Sequence, residues 1–198
     1  MTRPTVYFVR HGETDWNAEG RLQGTRDVPL NDVGREQAAR AGALLQKLGL
    51  GCADLDFVAS PMLRTRETIE GLRGAIGLDP HDYDVDERLR EIAFGQWEGL
   101  TWGEIRARDP QGHRASRADR WHYVPPGGES YAMLAERVRP FMEGLTRDTV
   151  VVSHGGVARA LLALFAGAPK DEAPGVDIWQ GRILVFAGGA AEWVPAAT

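Results

Sequence analysis

Three short segments hold the residue types that could do chemistry: Arg10-His11-Gly12, Ser60-Pro61-Met62-Leu63-Arg64 and Ser153-His154-Gly155-Gly156. Each follows directly on an apolar run of strand length. Together they offer two imidazoles, two guanidiniums and glycines beside both histidines. A guanidinium is a planar fork of donors that suits phosphate oxygens. A helix N-terminus adds backbone N–H groups and a positive partial charge, and a glycine lets that helix start close to a ligand. A bare Arg-His-Gly tripeptide is a weak signal, and His81 and His113 read as ordinary surface or hydrogen-bonded core histidines. Three matching strand-end placements in one chain are what point to a phosphate pocket.

The elements that must position these segments are legible from pattern. Residues 5–9, 56–59, 149–152 and 183–186 are short apolar runs rich in β-branched and aromatic side chains, as buried strands are. Residues 32–48 have apolar positions at helical spacing, with Asn31 or Asp32 as cap and Gly49 as stop. Residues 63–76 read as a helix weakened by Gly71 and Gly74. Tyr131, Leu134, Val138, Phe141, Met142 and Leu145 form one helical stripe, in which Pro140 predicts a kink. Residues 157–165 are apolar nearly all round and predict a buried helix. Strands alternating with helices predict an α/β domain with a mostly parallel sheet, whose ligands bind beyond the carboxyl ends of the strands. Residues 106–128, with five arginines, two histidines and the adjacent Pro125 and Pro126, break the alternation and read as a long loop or small excursion over the sheet.

Composition sets the outer limits. A chain of 198 residues, 43% hydrophobic and 26% charged, predicts one globular domain over 1–198, with residues 106–128 as a lid. The net charge of −5 argues against nucleic-acid and anionic-membrane partners, which want a basic face. The longest run of small and apolar residues, 160–168, is far short of the roughly 20 needed to span a bilayer. Residues 1–4 lead straight into a strand with no secretory h-region. The single cysteine, Cys52, allows neither an intrachain disulfide nor a cysteine-rich zinc site. The expectation is a cytoplasmic protein.

Phe8-Val9-Arg10-His11-Gly12-Glu13-Thr14-Asp15-Trp16-Asn17 closely resembles the opening motif of the histidine phosphatase superfamily, the phosphoglycerate-mutase-like proteins. The resemblance continues through Gly20-Arg21-Leu22-Gln23-Gly24, Asp27-Val28-Pro29-Leu30 and Gly34. It resumes at Ser60 to Thr68, Leu89 to Gly99, Pro126-Gly127-Gly128-Glu129-Ser130 and Val152 to Gly156, in family order and over most of the chain. Arg66 departs from it, standing where relatives often have a small or polar residue. The resemblance implies a three-layer α/β sandwich with a mixed, mostly parallel sheet, as either monomer or homodimer. It implies His11 as the nucleophile that becomes phosphorylated, and Arg10, Arg64 and His154 as holders of the phosphoryl oxygens. Asn17 and the Gly155 N–H would add donors, with Thr14 and Gln23 as further candidates. Glu91 matches the family's proton donor; Glu13 and Glu98 are rival carboxylates that spacing alone does not eliminate.

The chemistry is coherent in itself. A phosphomonoester dianion resists anionic nucleophiles, and a neutral imidazole avoids that repulsion. Nearby cations disfavour a protonated His11 and so keep it nucleophilic. Arg10, Arg64 and His154, if protonated, stabilise the transferring phosphoryl group. Glu91 can protonate the leaving oxygen only if its proton affinity is raised, by burial under Phe94 and Trp97 and by the phosphate charge. No metal or other cofactor is called for: imidazoles inside a cationic cluster are poor ligands, and there is no helical His-Glu-x-x-His pair and no two-metal carboxylate cluster. Trp16, Arg21, Arg26, Trp121, His122 and Tyr123 could line the mouth, while Trp102 and Trp179 read as core or packing residues. Arg114, Arg117 and Arg120 could meet a second anionic group on the substrate or form a solvated face. The expected activity is metal-independent hydrolysis of a small phosphorylated metabolite through a phosphohistidine at His11. The alternatives are a phosphoglycerate mutase and a non-catalytic phosphate-binding regulatory module.

Overall fold

The computed structural model describes residues 3–195. In chain order it runs β1 (Val6–Arg10), α1 (Asp15–Ala18), α2 (Asp32–Lys47), β2 (Asp56–Ala59), α3 (Leu63–Ala75), β3 (Asp84–Val85), α4 (Trp102–Arg108), α5 (Pro110–Ala118), α6 (Tyr131–Glu143), β4 (Thr149–Ser153), α7 (Gly155–Phe165), β5 (Leu184–Ala187) and β6 (Ala190–Trp193). The six strands make one sheet in the order β3-β2-β4-β1-β5-β6. β3, β2, β4 and β1 are parallel; β5 pairs antiparallel with both β1 and β6. The sheet is thus mixed and mostly parallel, as expected.

Alternation along the strands divides the core in two. Val6, Phe8 and Val151 face the apolar sides of α6 and α7, meeting Leu134, Val138, Phe141, Val157 and Leu161. Tyr7, Val9, Val150 and Val152 face α2 and α3, meeting Ala41, Leu44, Leu45, Ile69 and Leu72. Each fully buried Leu, Val or Phe contributes about 1.5–3 kcal/mol from its removal from water. The result is three layers, with helices on both faces of the sheet. α2 and α3 approach closely because Gly42 has no side chain: a Cβ there would stand 2.5 Å from the Leu72 carbonyl oxygen. Gly71, which weakens α3 by propensity, serves the same contact, since its Cβ would lie 3.1 Å from that of Ala38.

Register brings the three chemical segments level. β1 and β4 run in step from Val6↔Thr149 to Arg10↔Ser153, and β2 joins with Ala59 opposite Val152. The ladder extends one residue beyond the strands, with the His11 N–H donating to the Ser153 carbonyl at 2.9 Å and the Ser60 N–H to the Val152 carbonyl at 3.0 Å. His11, His154 and Ser60 therefore leave three neighbouring strands at one rim.

Four details add to the expectation or differ from it. Residues 106–128 are not a bare loop: they hold the end of α4 and all of α5. Asp109 caps α5 through the Gly112 N–H at 2.8 Å, and Pro110 takes the first helical position. α6 continues through Pro140 to Glu143; the ring removes the donor that would meet the Glu136 carbonyl, and less than one turn of helix follows it. The two-residue β3 is too short to have a pattern. Residues 190–193, beyond the last run read as a strand, pair as β6.

Candidate active site

The loop after β1 is packed backbone to backbone against the start of α2. A Cβ on Gly12 would lie 2.3 Å from the Gly34 carbonyl oxygen, and one on Gly34 would lie 2.1 Å from that of Glu13. This close approach sets the His11 ring. Its Nδ1 lies 2.7 Å from the Gly12 carbonyl oxygen, which can only accept, so Nδ1 carries the hydrogen and Nε2 keeps a free lone pair. Burial first, then Arg64 and Arg10, hold His11 well below the ordinary imidazole value. His154 stacks obliquely beside it, ring centroids 5.3 Å apart, with Nε2 2.8 Å from the Ser60 hydroxyl. The same influences, with His11 added, depress His154 as well. The condition that His154 be protonated is therefore not met in the unliganded protein: it enters as a neutral partner.

The two arginines are held by carbonyls. Arg10 Nη1 donates to Ile178 O at 2.9 Å, and Arg64 donates to Arg26 O at 2.7 Å and Gly24 O at 2.9 Å. Carbonyls fix a guanidinium without cancelling its charge. Burial pushes both down to about 10, helped at Arg10 by Arg159 and opposed at Arg64 by Glu91, Asp27 and Glu98, and both stay cationic at neutral pH. The loop that holds Arg64 is itself tied by Glu98, whose side chain is 6% exposed and accepts from the Thr25 N–H and hydroxyl at 2.9 and 3.0 Å. Glu98 is absent from the cavity wall that Glu91 lines. Glu13 is likewise engaged, accepting from Asn31 Nδ2 at 3.0 Å.

Glu91 faces the opening. Its carboxylate accepts from the Gly156 N–H at 3.0 and 3.2 Å and from the Ile92 N–H at 2.9 Å. A Cβ on Gly156 would lie 2.3 Å from Oε1, so only glycine admits the carboxylate there. Arg137 pins the segment before it, donating to the carbonyls of Arg88 at 2.6 Å and Arg90 at 3.0 Å while paired with Glu129. Phe94 shares the cavity with Glu91, whereas Trp97 lies further out, stacked on Tyr123.

Arg10, His11, Asn17, Gln23, Arg64, Glu91 and Gly155 all line one cavity of about 110 Å³. Asn17 Oδ1 takes hydrogen bonds from the Thr14 N–H and from Gln180 Nε2, at 3.2 and 3.1 Å, leaving Nδ2 as its free end. Thr14 is absent from the wall; it is buried and spends both its backbone and its hydroxyl on Asn17. His154 stands behind His11, fully buried. Arg159 and Tyr131 also line the cavity, unforeseen as site residues. The signal for Arg159 was a lone cation one turn into an otherwise apolar helix.

Of the mouth residues, Arg21 lines this cavity, and Tyr123 an outer one. His122 is exposed beside Asp119, Trp121 is buried on Tyr131, Trp16 lies over Gly99, and Arg26 pairs with Glu98. Trp102 and Trp179 are not core: they are 47% and 46% exposed, and Trp102 lines the outer chamber with His113, Arg117 and Arg120. Arg114 is outside it. Among the described residues no group of three His, Cys, Asp or Glu is placed to hold a metal, and no helix is long and apolar enough to cross a membrane.

The neutral histidines have a consequence for stability. Unfolded imidazoles bind protons as pH falls below about 6.5, and the folded pair does not. Their contribution is therefore fully present above that pH and is lost as pH falls. Chemical denaturation between pH 7.5 and 5.5 should show stability dropping by up to about 1.4 kcal/mol per group per pH unit; a flat profile would contradict a neutral buried pair.

The strand ends of this α/β sheet thus present two guanidiniums and an imidazole to one cavity. The chain belongs to the histidine phosphatase superfamily (branch 1), whose family profile it matches over residues 6–195. It is 36% identical over 182 residues to a glucosyl-3-phosphoglycerate phosphatase of Mycolicibacterium vanbaalenii, a match covering 85% of this chain and 77% of that one. It is 33% identical over 172 residues to human 6-phosphofructo-2-kinase/fructose-2,6-bisphosphatase 3, covering 86% of this chain and 31% of that longer protein. A solved mycobacterial glucosyl-3-phosphoglycerate phosphatase in complex with VO3 superposes with a TM-score of 0.81 at 33% identity, covering 96% of each chain.

Proposed function

We propose that the chain is a metal-independent phosphomonoesterase that hydrolyses a small phosphorylated metabolite through a phosphohistidine at His11. One observation carries this reading. Among the described residues, five buried side-chain nitrogen and oxygen atoms lack a partner, and four of them lie at or directly behind this cavity: Arg10 Nε, Gln23 Oε1, Arg64 Nε and His154 Nδ1. Each such atom costs about 1–3 kcal/mol unless something bonds to it. A polar ligand that enters the site offsets that cost. The two arginine nitrogens are donors, His154 Nδ1 is a donor in the tautomer whose Nε2 accepts from the Ser60 hydroxyl, and a half-turn of the Gln23 amide puts its N–H₂ group where the oxygen stands.

In the reaction, His11 Nε2 attacks phosphorus in line with the ester oxygen, and the phosphorus–ester oxygen bond breaks. Arg10, Arg64 and the helix α7 N-terminus hold the equatorial oxygens as charge shifts among them. Asn17 Nδ2 adds a donor. The leaving alkoxide takes its proton from Glu91. Water then attacks the phosphohistidine, returns a proton to Glu91 and releases inorganic phosphate with His11 restored. The wall's guanidiniums make it a poor seat for a divalent cation, and the relatives named as phosphatases support hydrolysis as the net reaction.

The experiment supplies 3-phosphoglycerate with a trace of the 2,3-bisphosphate, and in parallel an aryl phosphate, with chelator present throughout. Phosphate release from both, with little 2-phosphoglycerate, is expected, and vanadate should inhibit as a five-coordinate mimic. Isomerisation that outruns phosphate release by orders of magnitude would install the mutase reading. No turnover of either substrate would favour a binding module, and activity restored only by a divalent cation would overturn the metal-free scheme.

A further inference from the structure

We propose that Gln180 is a positioning residue. Its side-chain amide fixes the Asn17 amide so that Nδ2 meets the phosphoryl group, and it does so from the same stretch of chain that holds Arg10. This rests on reading the cavity as the phosphate site. Asn17 lines that cavity and Gln180 does not, so Gln180 acts through its neighbour and not on the ligand.

The orientation of both amides follows from one backbone donor. The Thr14 N–H can only donate, so the Asn17 atom 3.2 Å from it is Oδ1, and Nδ2 is turned away. The Thr14 hydroxyl gives the same oxygen a second bond, also at 3.2 Å. Gln180 then has to present its N–H₂ end, and its Nε2 lies 3.1 Å from Oδ1. Both Thr14 bonds are internal to the turn that carries Asn17. That turn, α1, has four residues and none of them buried, too little to hold itself in place. Gln180, 163 positions further along the chain, ties the Asn17 side chain to the sheet.

Gln180 is itself well anchored. Its backbone bridges to that of Arg10. Two residues earlier the Ile178 carbonyl accepts from Arg10 Nη1 at 2.9 Å, and two before that the Val176 carbonyl accepts from Arg159 Nε at 2.8 Å. This period of two is that of an extended chain: Val176, Ile178 and Gln180 are buried or half-buried, while Asp177 and Trp179 are exposed. Trp179 is packed on Trp193, ring centroids 5.0 Å apart, with the Arg182 guanidinium 4.4 Å from its ring. Arg10 and Asn17, two donors to one phosphoryl group, are thus held by residues two apart. Donors fixed in advance need no rearrangement as charge develops on the phosphoryl oxygens.

The test is a double-mutant cycle of Gln180→Met with Asn17→Ala. Methionine keeps the length of the side chain and removes its donors. For the wild type, both single variants and the double variant, kcat/KM on an aryl phosphate is measured beside vanadate affinity by calorimetry. Asn17→Ala should lower kcat/KM by about a hundredfold, as loss of an oxyanion donor does. Gln180→Met alone should lower it by about tenfold, with vanadate affinity falling in parallel. In the Asn17→Ala background, Gln180→Met should change either quantity by less than about twofold. A loosened stretch 176–182 would disturb Arg10 whether or not Asn17 is present, so equal losses in both backgrounds would overturn the proposal. Wild-type kcat/KM in Gln180→Met would overturn it too. Should Gln180→Met not fold, Gln180→Glu, which keeps the shape and replaces the amide donor with a carboxylate oxygen, takes its place in the cycle. A wild type that hydrolyses no phosphate ester would sink the phosphatase reading, and the cycle in vanadate affinity would still decide the role of Gln180.

Discussion

Replacing His11 with alanine should lower turnover by at least about a thousandfold, because both covalent steps run through its Nε2. The loss is expected to be this large because no neighbour can take over. His154 is set behind His11 with Nε2 committed to the Ser60 hydroxyl, and the remaining basic groups on the wall are guanidiniums. Steady-state kinetics on an aryl phosphate, beside a circular-dichroism check of the fold, measures it. Activity within tenfold of wild type in a folded variant would remove the phosphohistidine from the mechanism.

Glu91→Gln should slow alkyl phosphates by about a hundredfold to ten-thousandfold, the range of general acid catalysis. The amide keeps an oxygen to accept the Gly156 and Ile92 N–H bonds, so the shape of the wall survives while the proton is lost. Aryl phosphates with good leaving groups should suffer much less when phosphorylation of His11 limits the rate, since their oxygen needs little protonation. Equal losses on both substrate types under that condition would return the role of acid to another group. Glu98 and Glu13 are poor replacements, because neither lines the cavity that Glu91 does.

The parts of the site that were legible in the sequence are those whose position is set by strand ends. His11, His154, Arg10 and Arg64 sit at or just beyond β-branched runs, and a parallel register necessarily gathers such residues at one rim. Glu91 and Asn17 have no such marker. Glu91 lies in an irregular stretch held by Arg137 and Ser153, and Asn17 in a four-residue helix; both were reached through the family motif rather than through pattern. Thr14 shows the limit of a motif, which selects a residue without saying whether it faces the ligand or its neighbour.

The outer chamber was the least legible. α4 and α5 have few apolar residues to set a period, and their arginines suggested a solvated connection. Their caps were nonetheless in the sequence: Thr101 with Glu104 makes a capping box, and Asp109-Pro110 is a helix start. Trp102 and Trp179 were read as core or packing residues; both are half exposed and pack on neighbours without being enclosed, Trp102 on Trp97 and Trp179 on Trp193 and Arg182.

The most direct measurement is to quench the wild-type protein during turnover of a labelled phosphomonoester and identify the bond that holds the label. Label that is lost in acid, survives alkali and maps to the peptide containing His11, and that is missing from His11→Ala, is the predicted result, since a phosphoramidate behaves in that way. Label that survives acid, or that maps to Ser60 or Ser153, would contradict the account.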